Sequence, residues 1–231
     1  MDSRRVAYLK ALDIDVWQRR GVAPAAVPAP VQAPASTTQP GWAELESAVK
    51  GCTLCPLHRT RTQAVFGVGN RSAQWMVIGE APGADEDRQG EPFVGRAGQL
   101  LNSMLKAIGL AREQVFIANI LKSRPPNNRD PRPEEVRACL PYLFRQIELV
   151  NPRLILCVGR IAAQTLLETD TTIGKLRGQL HRIAGNRPMI VTYHPAYLLR
   201  SPGEKRKSWS DLLLALRTFE SLPSPLTRTP T

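Results

Sequence analysis

The chain lacks any apolar run of about 18 residues, so no membrane-spanning helix is expected in it. Its opening residues carry charge at Asp2, Arg4, Arg5 and Lys10 with no apolar stretch or cleavage site behind them, which excludes a secretory signal. Cysteine is scarce, four in 231 residues, too few for a disulfide framework. A cytoplasmic protein is the default that follows. Both common nucleotide fingerprints are missing: the first buried run is followed by GEAPG, which has neither the GxGxxG spacing nor GxxxxGK[ST]. Acidic residues are also outnumbered, 20 against 31 basic ones. The net charge of +11 points to a polyanionic partner, with nucleic acid foremost.

What is present divides into four parts. Residues 4–20 place Val6, Leu9, Leu12 and Trp17 at loosely helical spacing, giving an N-terminal helical segment over 1–20. Residues 21–41 are rich in proline and alanine and read as a solvated linker. Residues 42–222 form one domain, and 223–231 a flexible tail. Within the domain, apolar runs at 75–78, 115–120, 153–158 and 189–192 have the composition of strands buried on both faces. Helices are expected over 42–50, from Arg96 through the stripe Leu100, Leu101, Met104, Leu105 and Ile108, over 133–149 with Val136, Leu140, Leu143 and Ile147 inward, over 161–167, and over 205–219. A polar loop is expected between Gly79 and Arg96, and a basic, irregular segment over 171–188. Alternation of strand and helix predicts an α/β fold.

Open α/β sheets bind ligands at the carboxyl ends of their strands. Glu80, Ala81 and Pro82 follow the first run, Asn119 closes the second, and His194 falls just beyond the last. Phe93, in EPFVG, is an exposed aromatic suited to stacking on a planar base, with a core role as the alternative. Asn119 carries a donor and an acceptor on one side chain, which matches the imide edge of a pyrimidine as well as it matches loop backbone. The segment LKSRPPNNRDPRP, with Arg124 and Arg129, forms a rigid basic loop suited to phosphates. Cys52 and Cys55 make a CxxC that serves zinc, redox chemistry or an iron–sulfur cluster equally well. Cys139 is the obvious third ligand. Cys157, inside RLILCVG, reads as a buried core residue.

Taken together, Glu80 in GEAPG, Phe93 in GEPFVGRAGQLL, Asn119 ahead of KSRPPNNRDP and His194 in HPAYLLR closely resemble the family 4 uracil-DNA glycosylases, over roughly residues 42–217. The resemblance implies a three-layer αβα sandwich with a four-stranded parallel sheet, a 4Fe-4S cluster, and excision of uracil from DNA; a monomer is expected. It implies that Phe93 stacks on the flipped uracil, that Asn119 hydrogen-bonds its edge, and that Glu80, Ala81 and Pro82 cup it. His194 would face uracil O2, and Glu80 is the nearest candidate to activate water, because Ala81 stands where better-known glycosylases carry an aspartate. Tyr197, Leu198 and Arg200 fall in the segment that resembles the duplex-invading loop, with Leu198 as the wedge. The cluster ligands would be Cys52, Cys55 and Cys139, and the fourth position holds Ser123 in place of a cysteine, leaving Cys157 as a substitute. A uracil-DNA recognition protein without turnover is the alternative function.

Overall fold

The computed structural model describes residues 39–223, so the N-terminal helical segment, nearly all of the linker and the tail lie outside the described residues. The compact unit begins at Pro40. In chain order its elements are α1 (Trp42–Lys50), β1 (Val68–Gly69), β2 (Trp75–Gly79), α2 (Ala84–Gln89), α3 (Arg96–Ala107), β3 (Phe116–Asn119), α4 (Pro133–Val150), β4 (Leu154–Val158), α5 (Arg160–Leu167), α6 (Ile173–Leu176), β5 (Leu180–Ile183), β6 (Arg187–Thr192), α7 (Pro195–Arg200) and α8 (Lys205–Ser221).

The sheet runs β1-β3-β2-β4-β6-β5. Its four central strands pair in parallel, as expected, but β1 and β5 extend it at both edges with antiparallel pairings. The sheet is therefore mixed and six-stranded, a correction to the four-stranded parallel sheet. The edge strands escaped notice for a physical reason. β1 is two residues long, and β5 is largely exposed, so neither is a continuous apolar run.

Alternate side chains of the parallel strands feed two apolar layers. On one face Met76, Ile78, Ile155 and Val191 pack with Leu143 and Ile147 of α4 and Ala162 of α5. On the other Val77, Ile117, Leu156 and Ile190 pack with Leu101 and Leu105 of α3 and Leu212 of α8. Each such fully buried side chain contributes about 1.5–3 kcal/mol. Three layers, αβα, follow from strands that are apolar on both sides.

Three local expectations need correction. The polar loop after β2 contains α2, six residues without an apolar stripe, started by the Gly83 N–H donating to Glu86 Oε2 at 3.1 Å. The stretch 171–188 contains α6 and β5 and is not irregular. Helix α4 is turned from the expected face: Leu143 and Ile147 are buried beside Glu135, Cys139 and Gln146, while Val136 and Leu140 are only half-buried.

Candidate active site

Strand register sets the site. Gly79 pairs with Asn119, Ile78 with Cys157, and Val158 with Thr192, so the carboxyl ends of β2, β3, β4 and β6 finish in one row. Above that row lies a cavity of about 720 Å³ lined by Glu80, Ala81, Pro82, Phe93, Asn119 and His194, with Tyr197 and Arg200 at one side and Asp130 and Arg160 at another. The six residues singled out from sequence as a pyrimidine pocket therefore line one cavity.

Asn119 is 2% exposed, and its Oδ1 has no hydrogen-bond partner among the described residues. A buried carbonyl oxygen left unpaired costs about 1–3 kcal/mol, so the position is poised for a ligand that donates. The end of β3 is fixed from behind. Lys122, fully buried, donates from Nζ to the Asn119 carbonyl at 2.8 Å and to Gln146 Oε1 at 2.7 Å. Burial pulls its ammonium down to about 7. Gly79 opposite has to be glycine, because a Cβ there would lie 2.5 Å from Asn119 Oδ1 and 2.6 Å from Phe93 Cζ.

Phe93 is 5% exposed, so it is a core residue as well as a pocket wall, and the expectation of an exposed aromatic is corrected accordingly. Its backbone sits at φ +56°, a left-handed conformation rare for a bulky side chain. Neighbours hold it there. Arg112 donates to the carbonyls of Pro92 at 2.6 Å and Phe93 at 3.1 Å, and Glu86 Oε1 accepts from the N–H groups of Val94 and Gly95. Sequence reasoning missed Arg112, which lies nineteen residues from Phe93 with no motif around it.

His194 caps α7, and its Nδ1 accepts from the Ala196 N–H at 3.1 Å. The other nitrogen, Nε2, then carries the proton of the neutral ring. Burial, reinforced by the Arg200 guanidinium, pulls its pKa down to about 4. The imidazole is therefore a neutral N–H donor at physiological pH, and its ring stacks near Phe93 with centroids 5.6 Å apart. Glu80 moves the opposite way: burial, aided by the Asp130 carboxylate and opposed by Arg160, pushes it up to about 7. Arg160 and Asp130 pair at 2.8 Å on the rim. Arg160 lies one glycine past the end of β4, the one feature that could have flagged it.

The residues expected from sequence to meet DNA divide. Arg200 is exposed beside the pocket and Tyr197 is half-buried against Tyr193. Arg124 is half-buried and bonds Asn128 at 2.8 Å. Arg129 forms a two-pronged pair with the buried Glu135 carboxylate, at 2.9 and 2.5 Å, and so braces the proline-rich loop where that loop lines the cavity. Leu198 is 1% exposed and packs in the core, which overturns its assignment as the wedge; its neighbour Leu199 is 37% exposed.

The cysteines form a corner apart from the cavity. Cys52 and Cys55 lie after α1 and Cys139 on α4, close enough for their thiols to influence one another. Burial pushes the Cys55 and Cys139 thiols up. Ser123, 3% exposed, accepts from Arg61 Nη1 at 2.9 Å. Cys157 lies fully buried in the middle of β4, opposite Ile78 and Val191, and is a core residue. Among the described residues no three His, Cys, Asp or Glu side chains are arranged to hold a metal ion. A 4Fe-4S cluster takes four thiolates. Three thiols and a hydroxyl already engaged by a guanidinium do not fit it.

No helix among the described residues is long and apolar enough to cross a membrane. A family model described as the uracil DNA glycosylase superfamily matches residues 66–214. The chain is 48% identical over 170 residues to a type-4 uracil-DNA glycosylase of Archaeoglobus fulgidus, covering 71% of this chain and 85% of that protein. A type-4 uracil-DNA glycosylase of Pyrobaculum aerophilum is 46% identical over 178 residues, 74% and 91% of the two chains, and one of Thermotoga maritima is 47% identical over 154, 66% and 80%.

Proposed function

The chain belongs to the uracil DNA glycosylase superfamily, and from that premise we propose that it excises uracil from DNA, hydrolysing the N-glycosidic bond to leave an abasic site for repair. The observation that carries this reading is the unpartnered, buried Oδ1 of Asn119 in a pocket also lined by a neutral imidazole.

Uracil offers N3–H and O4 on one edge and O2 beside them. Asn119 Oδ1 accepts from N3–H, and its amide donates to O4. Cytosine would set a lone pair against Oδ1 and an amino group against the amide, leaving buried polar groups unmatched, which discriminates strongly. Phe93 provides the ring face on which the flipped base rests. As the glycosidic bond breaks, its electron pair goes to uracil N1 and negative charge spreads to O2. The Nε2–H of His194 meets that charge as it develops, a contact worth about 10²–10³ in rate. Water adds to the sugar C1′ and its proton passes to Glu80, whose pKa of about 7 suits a base at neutral pH. No step passes through an iron–sulfur group. Arg200 and Arg124 meet the backbone phosphates, and Leu199 fills the gap left in the duplex.

A labelled oligonucleotide with one deoxyuridine tests the proposal. Alkali-sensitive cleavage at that position is expected. Uracil-dependent binding without abasic product would instead identify a recognition protein.

A further inference from the structure

The corner holding Cys52, Cys55 and Cys139 is built differently from the four-thiolate site that the resemblance implies, and the difference is positive as well as negative. In place of a fourth thiol stands the buried hydroxyl of Ser123, and its oxygen is occupied: Arg61 donates to it from Nη1 at 2.9 Å. The same guanidinium donates from Nη2 to the Lys50 carbonyl, also at 2.9 Å. One side chain thus ties the end of α1 to the segment that follows Asn119. We propose that Arg61 with Ser123 is a metal-independent latch that closes this corner, and that the chain folds and stays folded without an iron–sulfur cluster.

Other contacts make the corner self-supporting. Leu45 and Val49 of α1 are buried with Ala64 and Phe66 in an apolar cluster of their own, flanked by Tyr142 and Leu149 of α4. Trp42 packs on Phe66 and Phe116 with ring centroids 6.1 and 5.3 Å apart. Leu57, just past the second cysteine, is 1% exposed. The Lys122 N–H donates to Cys139 Sγ at 3.5 Å, so this thiol is engaged by the polypeptide itself. This apolar burial gives the segment a hold that needs no metal, and the Ser123 oxygen, already accepting from a guanidinium, is a hard donor where a cluster takes a soft thiolate.

The test uses the full chain purified without oxygen from iron-replete cells, with iron and acid-labile sulfide measured per chain and thermal unfolding followed before and after treatment with a strong chelator. The latch predicts substoichiometric iron, no broad visible absorption, and an unchanged melting temperature after chelation. Arg61→Ala should lower the melting temperature by about 3–8 °C and speed tryptic cleavage within residues 50–62. Arg61→Lys, which can keep one of the two hydrogen bonds, should fall between. About four irons per chain in the parent, with melting lowered by chelation, would overturn the proposal, as would an Arg61→Ala variant that melts and resists trypsin like the parent. Conversely, the pair Arg61→Ala with Ser123→Cys should gain iron and visible absorption on reconstitution. These readouts do not depend on uracil excision, so they stand or fall separately from the proposed function.

Discussion

At the scale of single residues, the proposed mechanism rests on two titrating groups that burial moves in opposite directions. Burial holds His194 neutral down to about 4, whereas it keeps Glu80 protonated up to about 7. With Glu80 as the base, kcat/KM should rise with pH through about 7 and level off above it, with no inflection near the usual imidazole range. Glu80→Gln should abolish that rise. Stability runs the other way. A carboxyl whose folded pKa lies above its ordinary value favours the folded state when protonated, so this contribution is lost as pH climbs from 4.5 to about 7. Glu80→Gln should therefore stabilise the chain at pH 8, by up to about 3 kcal/mol, and change little at pH 4 in urea titrations. Asn119 and His194 were legible from sequence because each follows an apolar strand. The ionisation states were not, since they depend first on burial in the folded chain and then, for Glu80, on Asp130 and Arg160, which are remote from it in sequence.

At the scale of elements, the legible parts were those buried on both faces. The runs at β2, β3, β4 and β6 announce themselves because parallel central strands need no polar side, and the stripe of α3 because it repeats at helical spacing. Short elements carry too little pattern. In α7 the phase of a six-residue helix decides whether Leu198 or Leu199 faces inward, and adjacent leucines give no means of choosing. Leu199→Ala should weaken excision from duplex DNA severalfold and leave single-stranded substrate nearly unchanged. Leu198→Ala should destabilise the fold by about 2–4 kcal/mol, measurable by denaturation without DNA. The strand end that delivers His194 is anchored by polar groups: Asp211 of α8 accepts from Thr192 Oγ1 at 2.9 Å and from Arg177 at 3.0 and 2.7 Å. Removing this fully buried carboxylate leaves Arg177 Nε without an acceptor and Thr192 with only Ser208 as a partner. Asp211→Ala should cost about 3 kcal/mol in urea unfolding.

At the scale of the whole molecule, the excess of 31 basic over 20 acidic residues favours attraction to any DNA, while in the proposed function the cavity supplies the choice of base. The two separate experimentally. Binding to uracil-free duplex should weaken with salt along a log–log slope of roughly −3 to −6, the signature of several displaced counterions, and Asn119→Ala should leave that slope unchanged. The central claim is that Asn119 selects the base and His194 stabilises the departing uracil. Single-turnover excision from duplexes carrying uracil or cytosine at one position, compared among the parent, Asn119→Ala and His194→Ala, addresses it most directly. The account predicts uracil-only cleavage by the parent, about 10²-fold slower cleavage by Asn119→Ala, and about 10²–10³-fold slower cleavage by His194→Ala with DNA affinity retained. Parent-like rates in both variants, or cytosine released as readily as uracil, would contradict it.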